Sequence, residues 1–200
     1  MSENQPDNPI CRFLDLAATA LRAETSSLAQ TVAQAIDEIP APRQKSPYCH
    51  LPAADHFTAA CALASDDTRH LVDAAAALDD QLQWRGGADH GFGDRKRGEL
   101  AYVEFVGPTS AITTDDLRFG LFLLAPATFY PNHSHAADEL YYVIAGEGEW
   151  QKDHGDFIAH GPGTLIEMPS FTPHALRTGE SPVLMLYGWT GDVGGEYRIL

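Results

Sequence analysis

Two hydrophobic periods divide the chain. From Pro9 to about Leu82 apolar residues recur at spacings of three and four, and from Glu99 onward they gather into short runs broken by turns. Asn8 followed by Pro9 is a helix start, a capping side chain and then a proline at the first helical position. Phe13, Leu16, Ala17, Ala20 and Leu21, then Leu28, Val32, Ala35, Ile36 and Ile39, predict an amphipathic helical stretch interrupted around Thr25, Ser26 and Ser27. Pro40 and Pro42 stop it, and a linker runs on through Pro47 and Pro52. Phe57, Cys61 and Ala64 then line one face, and Ser65 or Asp66 is placed to cap a helix carrying Leu71, Ala74, Ala75, Leu78 and Leu82. Residues 1–84 therefore read as an N-terminal helical extension.

The period changes after the glycine-rich stretch Trp84-Arg-Gly-Gly-Ala-Asp-His-Gly-Phe-Gly-Asp, so residues 85–98 are expected to form a connecting loop. Glu99 to Val106, Phe119 to Ala125, Glu139 to Ala145, Gly148 to Lys152, Thr164 to Met168, Ala175 to Thr178, Val183 to Trp189 and Glu196 to Ile199 have the length and apolar content of strands. Gly-Pro, Gly-Glu-Gly and Gly-Pro-Gly punctuate them. This spacing predicts a mainly β unit over 99–200, a small jelly-roll barrel of two sheets, with the helices packed on it.

Composition narrows the partners. A formal charge of −15 argues against DNA, RNA or an anionic membrane surface, all of which call for basic patches. No apolar run is long enough to span a membrane, and the polar, acidic first residues lack the pattern of a signal peptide. Cys11, Cys49 and Cys61 are odd in number and form no CxxC, which suits free thiols in a reducing cytoplasm.

The candidate chemistry sits between Tyr130 and Gly146. Alternate residues of a strand share a face, so His133 can aim with His135, and Glu139 with Tyr141, while Tyr142 points away. Converging imidazoles and a carboxylate suit a divalent transition metal, and His174 behind Pro169-Ser-Phe-Thr-Pro offers a fourth donor. His133-x-His135-x3-Glu139-x6-Gly146 resembles the first motif of the cupin superfamily, with Ala127 at the motif's leading glycine. Gly163-x5-Pro169-x-Phe171-x2-His174 resembles its second motif, with Phe171 at an internal glycine and Thr178 at a terminal asparagine. The likeness covers roughly residues 100–190. It implies a cupin double-stranded β-helix and one divalent ion per chain (Fe, Zn or Mn) on His133, His135, Glu139 and His174.

With the flanking tyrosines, the helical extension and the overall length, the chain further resembles the cupin dimethylsulfoniopropionate (DMSP) lyases of marine bacteria, especially the DddQ group. That resemblance implies a carbon–sulfur lyase producing dimethyl sulfide and acrylate, with Tyr141 at the position of the catalytic tyrosine and Tyr130 at that of a pocket tyrosine. The substrate is then a small zwitterion, and the protein a monomer or homodimer. Removing a proton next to an ionised carboxylate calls for charge stabilisation by the ion and for a base whose pKa a nearby cation has lowered. A sulfonium has no N–H donors and is best held by aromatic faces, for which Tyr130, Phe129, Trp150 and Trp189 are the candidates. Two other classes share the ligand set. One is another metal-dependent cupin enzyme, an Fe(II) dioxygenase or an isomerase acting on a small acid, and the other a non-catalytic binding module. Anaerobic turnover separates an elimination from a dioxygenase.

Overall fold

The computed structural model describes residues 8–39, 51–78, 81–86 and 99–200. The prolines at 40, 42 and 47, Cys49 and most of the expected glycine-rich loop lie outside the described residues.

The helical half begins with α1 (Pro9–Ala23) and α2 (Ser27–Asp37). Asn8 caps α1, accepting from the Ile10 amide at 2.9 Å, and Ser26 caps α2 through the Ala29 amide. The break therefore falls where the polar triplet predicted it. Ser26 Oγ also hydrogen-bonds Glu167, so the start of α2 is pinned to the β half. A 3-10 turn (Pro52–His56) leads into the short α3 (Phe57–Cys61), and α4 spans Arg69–Ala76. This last helix starts later than Ser65 or Asp66 would have it. Ser65 Oγ accepts from the Thr68 amide, while Arg69 closes the preceding turn on the carbonyls of Cys61 and Ala64. Leu78 and Leu82, expected on the helix, are buried beyond its end.

Ten strands follow: β1 (Leu100–Val106), β2 (Arg118–Leu124), β3 (Phe129–His135), β4 (Ala137–Ala145), β5 (Gly148–Lys152), β6 (Phe157–His160), β7 (Leu165–Met168), β8 (His174–Thr178), β9 (Val183–Gly191) and β10 (Tyr197–Ile199). They form two antiparallel five-stranded sheets, ordered β1-β2-β9-β4-β7 and β10-β3-β8-β5-β6. The strand β6 adds to the expected set, and its residues are half-buried or exposed.

The first sheet is covered on both sides, which explains its unbroken apolar runs. Ala101, Val103, Phe105, Phe119, Leu121, Leu140, Tyr142, Ile144, Leu184 and Leu186 join α1, α2 and α4 in one core, with Phe13 against Phe105 at 5.2 Å between ring centres. The alternate residues Tyr102, Phe122, Tyr141, Val143, Met185 and Tyr187 face inward and meet Tyr130, Trp150 and Leu176 of the second sheet. Tyr141 and Tyr142 thus part to opposite faces. Helix α2 lies so close to β9 that a Cβ on Gly188 would stand 3.1 Å from Val32. Gly146, at φ 75°, closes β4 where a Cβ would meet the Pro182 carbonyl at 2.1 Å. Among the described residues no helix is long and apolar enough to cross a membrane.

Candidate metal centre

His133, His135, Glu139 and His174 are all buried, and their ligand atoms lie within 4.8 Å of one another. Three strands place them. His133 and His135 share the inner face of β3, His174 opens β8 directly opposite His133, and Glu139 comes from β4 in the other sheet. The turn before His174 is latched to the β3–β4 connection. The Phe171 amide donates to the His135 carbonyl at 2.7 Å, the Ser170 amide to Asp138 at 2.8 Å, and Ser170 Oγ to the Ala136 carbonyl at 2.6 Å.

The imidazoles share one orientation. Nδ1 of His133 lies 2.9 Å from the Pro131 carbonyl, Nδ1 of His135 3.0 Å from that of Ala137, and Nδ1 of His174 2.9 Å from that of Thr172. A carbonyl only accepts, so each Nδ1 carries the proton and each Nε2 of a neutral ring is left with a lone pair. Nε2 of His135 and of His174 approach Glu139 Oε2 at 2.9 and 3.1 Å, yet Nε2 of His174 is buried without a hydrogen bond. Lone pairs facing a carboxylate in the protein interior are costly unless a cation lies among them. Three imidazoles and one carboxylate fit a divalent transition ion, so the residues present suit a metal.

Electrostatics agree. Burial opposes ionisation of Glu139, but His135 and His174 outweigh it and hold the carboxyl well below the usual range. Burial resists protonation of His135, but the Glu139 carboxylate prevails and raises its pKa. Burial and the neighbouring His174 push His133 well below its ordinary value, which keeps this ring neutral and ready to ligate. Trp189 stands opposite Glu139 across β4 and β9. Its indole N–H donates to Oε1 at 2.6 Å while its ring stacks on His135 at 4.2 Å.

A cavity of about 20 Å³, enough for about one water, adjoins this cluster. Glu139, His133, Tyr130, Tyr141 and Trp189 line one part of it, and Tyr102, Glu104, Arg118, Phe122 and Tyr187 complete the wall. Tyr141 is fully buried beside Glu139. From the protein's own groups, burial and the Glu139 carboxylate push its phenol well above the usual value. Tyr130 is also buried, 4.5 Å from the His133 ring, and its hydroxyl pairs with that of Tyr197 at 2.9 Å.

Two sequence candidates fall elsewhere. Phe129 is 50% exposed on the outer face of β3, edge-on to Phe157, because strand alternation sends it away from Tyr130. Trp150 is buried behind Tyr141 at 6.1 Å, outside the cavity lining. Conversely, Tyr102, Phe122, Tyr187 and Tyr197 were not picked out from the sequence, nor were Glu104 and Arg118. A lone acid in the apolar run of β1 was the available signal for Glu104, since buried charges are rare unless paired.

Comparison with known proteins gives the family and the fold. A family model for dimethylsulfoniopropionate lyase matches residues 22–185. The dimethylsulfoniopropionate lyase DddQ of Ruegeria pomeroyi is 32% identical over 126 residues, which cover 62% of this chain and 60% of that protein. A Cereibacter sphaeroides protein named for the DddL lyase is 39% identical over 95 residues, 47% of this chain and 40% of its own length. The matched segments thus span about half of these two relatives. The crystal structure of DddQ from Ruegeria pomeroyi superposes with a TM-score of 0.80 at 27% identity, covering 96% of each chain.

Proposed function

Because the chain belongs to the dimethylsulfoniopropionate lyase family, we propose that it is a metal-dependent lyase that splits dimethylsulfoniopropionate into dimethyl sulfide and acrylate, with Tyr141 as the base. The observation that carries this reading is the place of Tyr141. It is buried on the same strand face as Glu139, at the wall of the cavity beside His133. His133, His135, Glu139 and His174 would hold the ion. A bound divalent cation supplies positive charge beside the substrate carboxylate, which acidifies the α-carbon and favours phenolate at Tyr141.

The remaining work belongs to the chain. Tyr141 accepts the α-proton; the C–H electron pair becomes the new double bond; the C–S bond breaks with its pair passing to sulfur. Dimethyl sulfide leaves neutral and acrylate remains, so no strong acid is needed at the leaving group. Trp189 fixes the Glu139 carboxylate through its indole N–H. Tyr130, Trp189 and Phe122 give the sulfonium aromatic faces, Phe122 taking the part expected of Phe129 and Trp150.

The test is headspace detection of dimethyl sulfide from purified protein supplied with dimethylsulfoniopropionate and, in turn, Fe(II), Zn(II) and Mn(II). Release is expected with at least one ion and under anaerobic conditions. Silence with every ion would sink the reading, and a strict need for oxygen would move the protein to the dioxygenases.

A further inference from the structure

Outside the small cavity lies a second, larger space of about 460 Å³, bordered by Arg85, Tyr102, Thr109, Arg118, Trp189 and Tyr197 together with the backbone around Gly194. Tyr102, Arg118 and Trp189 line both spaces, so they form the neck between this vestibule and the metal-like cluster. The inner cavity has room for about one water. A five-carbon zwitterion fits the vestibule without rearrangement and the inner cavity only with it.

The neck is cationic in a chain of formal charge −15. Arg85 and Arg118 each pair with the buried carboxylate of Glu104, at 3.2 and 3.1 Å, which among these described groups leaves one positive charge over. The two guanidiniums are not equally occupied. Arg85 gives Nη1 to Glu104 and Thr109 Oγ1, and Nη2 to the Thr109 carbonyl. Arg118 gives Nε to the Val193 carbonyl at 3.0 Å and Nη1 to Glu104, and Nη2 has no partner among the described residues. Two of its three nitrogens are thus anchored, and the third is held in place at the neck. An arm fixed in this way suits a carboxylate, because little side-chain freedom is lost on binding. Around it stand the rings of Trp189, Tyr197 and Tyr102, with the Arg118 guanidinium carbon 6.0 Å from the Trp189 ring centre.

We propose that the vestibule is a docking site for short zwitterions, in which Arg118 takes the carboxylate and the aromatic walls of Trp189, Tyr197 and Tyr102 take the onium group. The site is independent of the metal. Its choice of a carboxylate-bearing onium ligand rests on the lyase reading above. Arg118 is then a selectivity residue for entry, and its partnership with Glu104 is what holds it in position.

The experiment uses the full chain stripped of metal, so that the ion cannot anchor the carboxylate. Two probes are titrated by calorimetry: 3-(trimethylammonio)propionate, and its carbon isostere 4,4-dimethylpentanoate, which keeps the carboxylate and lacks the cation. The zwitterion should bind saturably, and the isostere about tenfold more weakly for want of cation–π attraction. Arg118→Gln should weaken the zwitterion about tenfold or more. Arg118→Lys keeps the charge beside Glu104 and decides the matter if the Gln variant does not fold; it should weaken binding about fivefold, since a lysine cannot anchor and donate with the same fork. Unchanged affinity in Arg118→Lys, or no saturable binding by the stripped parent, overturns the proposal. Either result can coexist with dimethyl sulfide release by the metal-loaded protein, so the docking site and the lyase reading fail separately.

Discussion

Glu104 and Glu139 are two buried carboxylates of the same sheet, both facing the same cavity, and the protein treats them in opposite ways. Glu104 meets two guanidiniums and the Ser110 hydroxyl, which donates at 2.6 Å. Guanidinium is charged at every relevant pH, so this acid is compensated from within the fold. Glu139 meets the imidazoles of His135 and His174 and the indole of Trp189. Imidazole is a part-time cation, so this acid is compensated fully only by a proton or a metal. Each has its own tyrosine as well, and Tyr141 and Tyr187 face each other across β4 and β9. A buried acid with permanent partners is a brace, and one with titratable partners is a site.

Substituting the acids should separate those roles. Glu139→Gln should lose the ion and dimethyl sulfide release together, read by bound-metal analysis and headspace assay. Tyr141→Phe comes next. It should keep the ion and the fold yet lose about 10²- to 10⁴-fold in rate, the usual weight of a general base. Near-parental rates would remove the proposed base. Glu104→Gln should do the reverse of Glu139→Gln. It leaves two part-buried guanidiniums short of a counter-charge and should cost about 3 kcal/mol in denaturant unfolding, with metal stoichiometry kept. Loss of metal in that variant would show the two acids to be one network.

Much of the site was legible because it is local. His133, His135 and Glu139 lie within seven residues, strand alternation gave the common face, and the proline turn marked His174. The two motif glycines replaced here show how far a pattern outlives its residue. Ala127 and Phe171 still adopt the left-handed backbone, at φ 52° and 58°, because hydrogen bonds such as Phe171 N–H to the His135 carbonyl hold the chain there. What could not be read was assembled from afar. Arg85, Glu104 and Arg118 come from three separate segments with no spacing rule between them, and Tyr197 reaches the histidines only because β10 pairs with β3. Of the expected wall aromatics, Tyr130 and Trp189 line the cavity, and Phe129 lies outside it for a simpler reason. A sequence shows that Phe129 is aromatic, but the face it takes depends on the strand's register, and the bulge between Tyr130 and His133 shifts that register next to the site.

Acidity offers a finer probe of the contrast, in protein stripped of metal. The Glu139 carboxyl is lowered by its imidazole partners, so its contribution is present above the ordinary 4.5 and is lost as pH falls through the lower folded value. His135 is raised, so its contribution is complete below the ordinary 6.5 and is lost as pH climbs through the higher folded value. The stability advantage of the stripped parent over Glu139→Gln should therefore be greatest between those limits and narrow on both sides. Metal affinity should move the other way across the upper limit, rising as His135 gives up its proton. Melting curves across pH for the stripped parent and Glu139→Gln decide it.

The smallest effect makes the sharpest comparison. The Tyr187 hydroxyl reaches Glu104 at only 3.5 Å, and that carboxylate already has three stronger partners. Tyr187→Phe should cost no more than about 1 kcal/mol of stability. Tyr141→Phe removes a similar buried hydroxyl from the facing position and should melt within about 1 kcal/mol of it. Stability then hardly distinguishes two tyrosines that pair across the same strands, and turnover should divide them by about a hundredfold, because only one stands beside the acid that has no permanent cation. A Tyr187→Phe enzyme as slow as Tyr141→Phe would mean that the cavity depends on the pair of phenols together, and the division between brace and site would have to be drawn elsewhere.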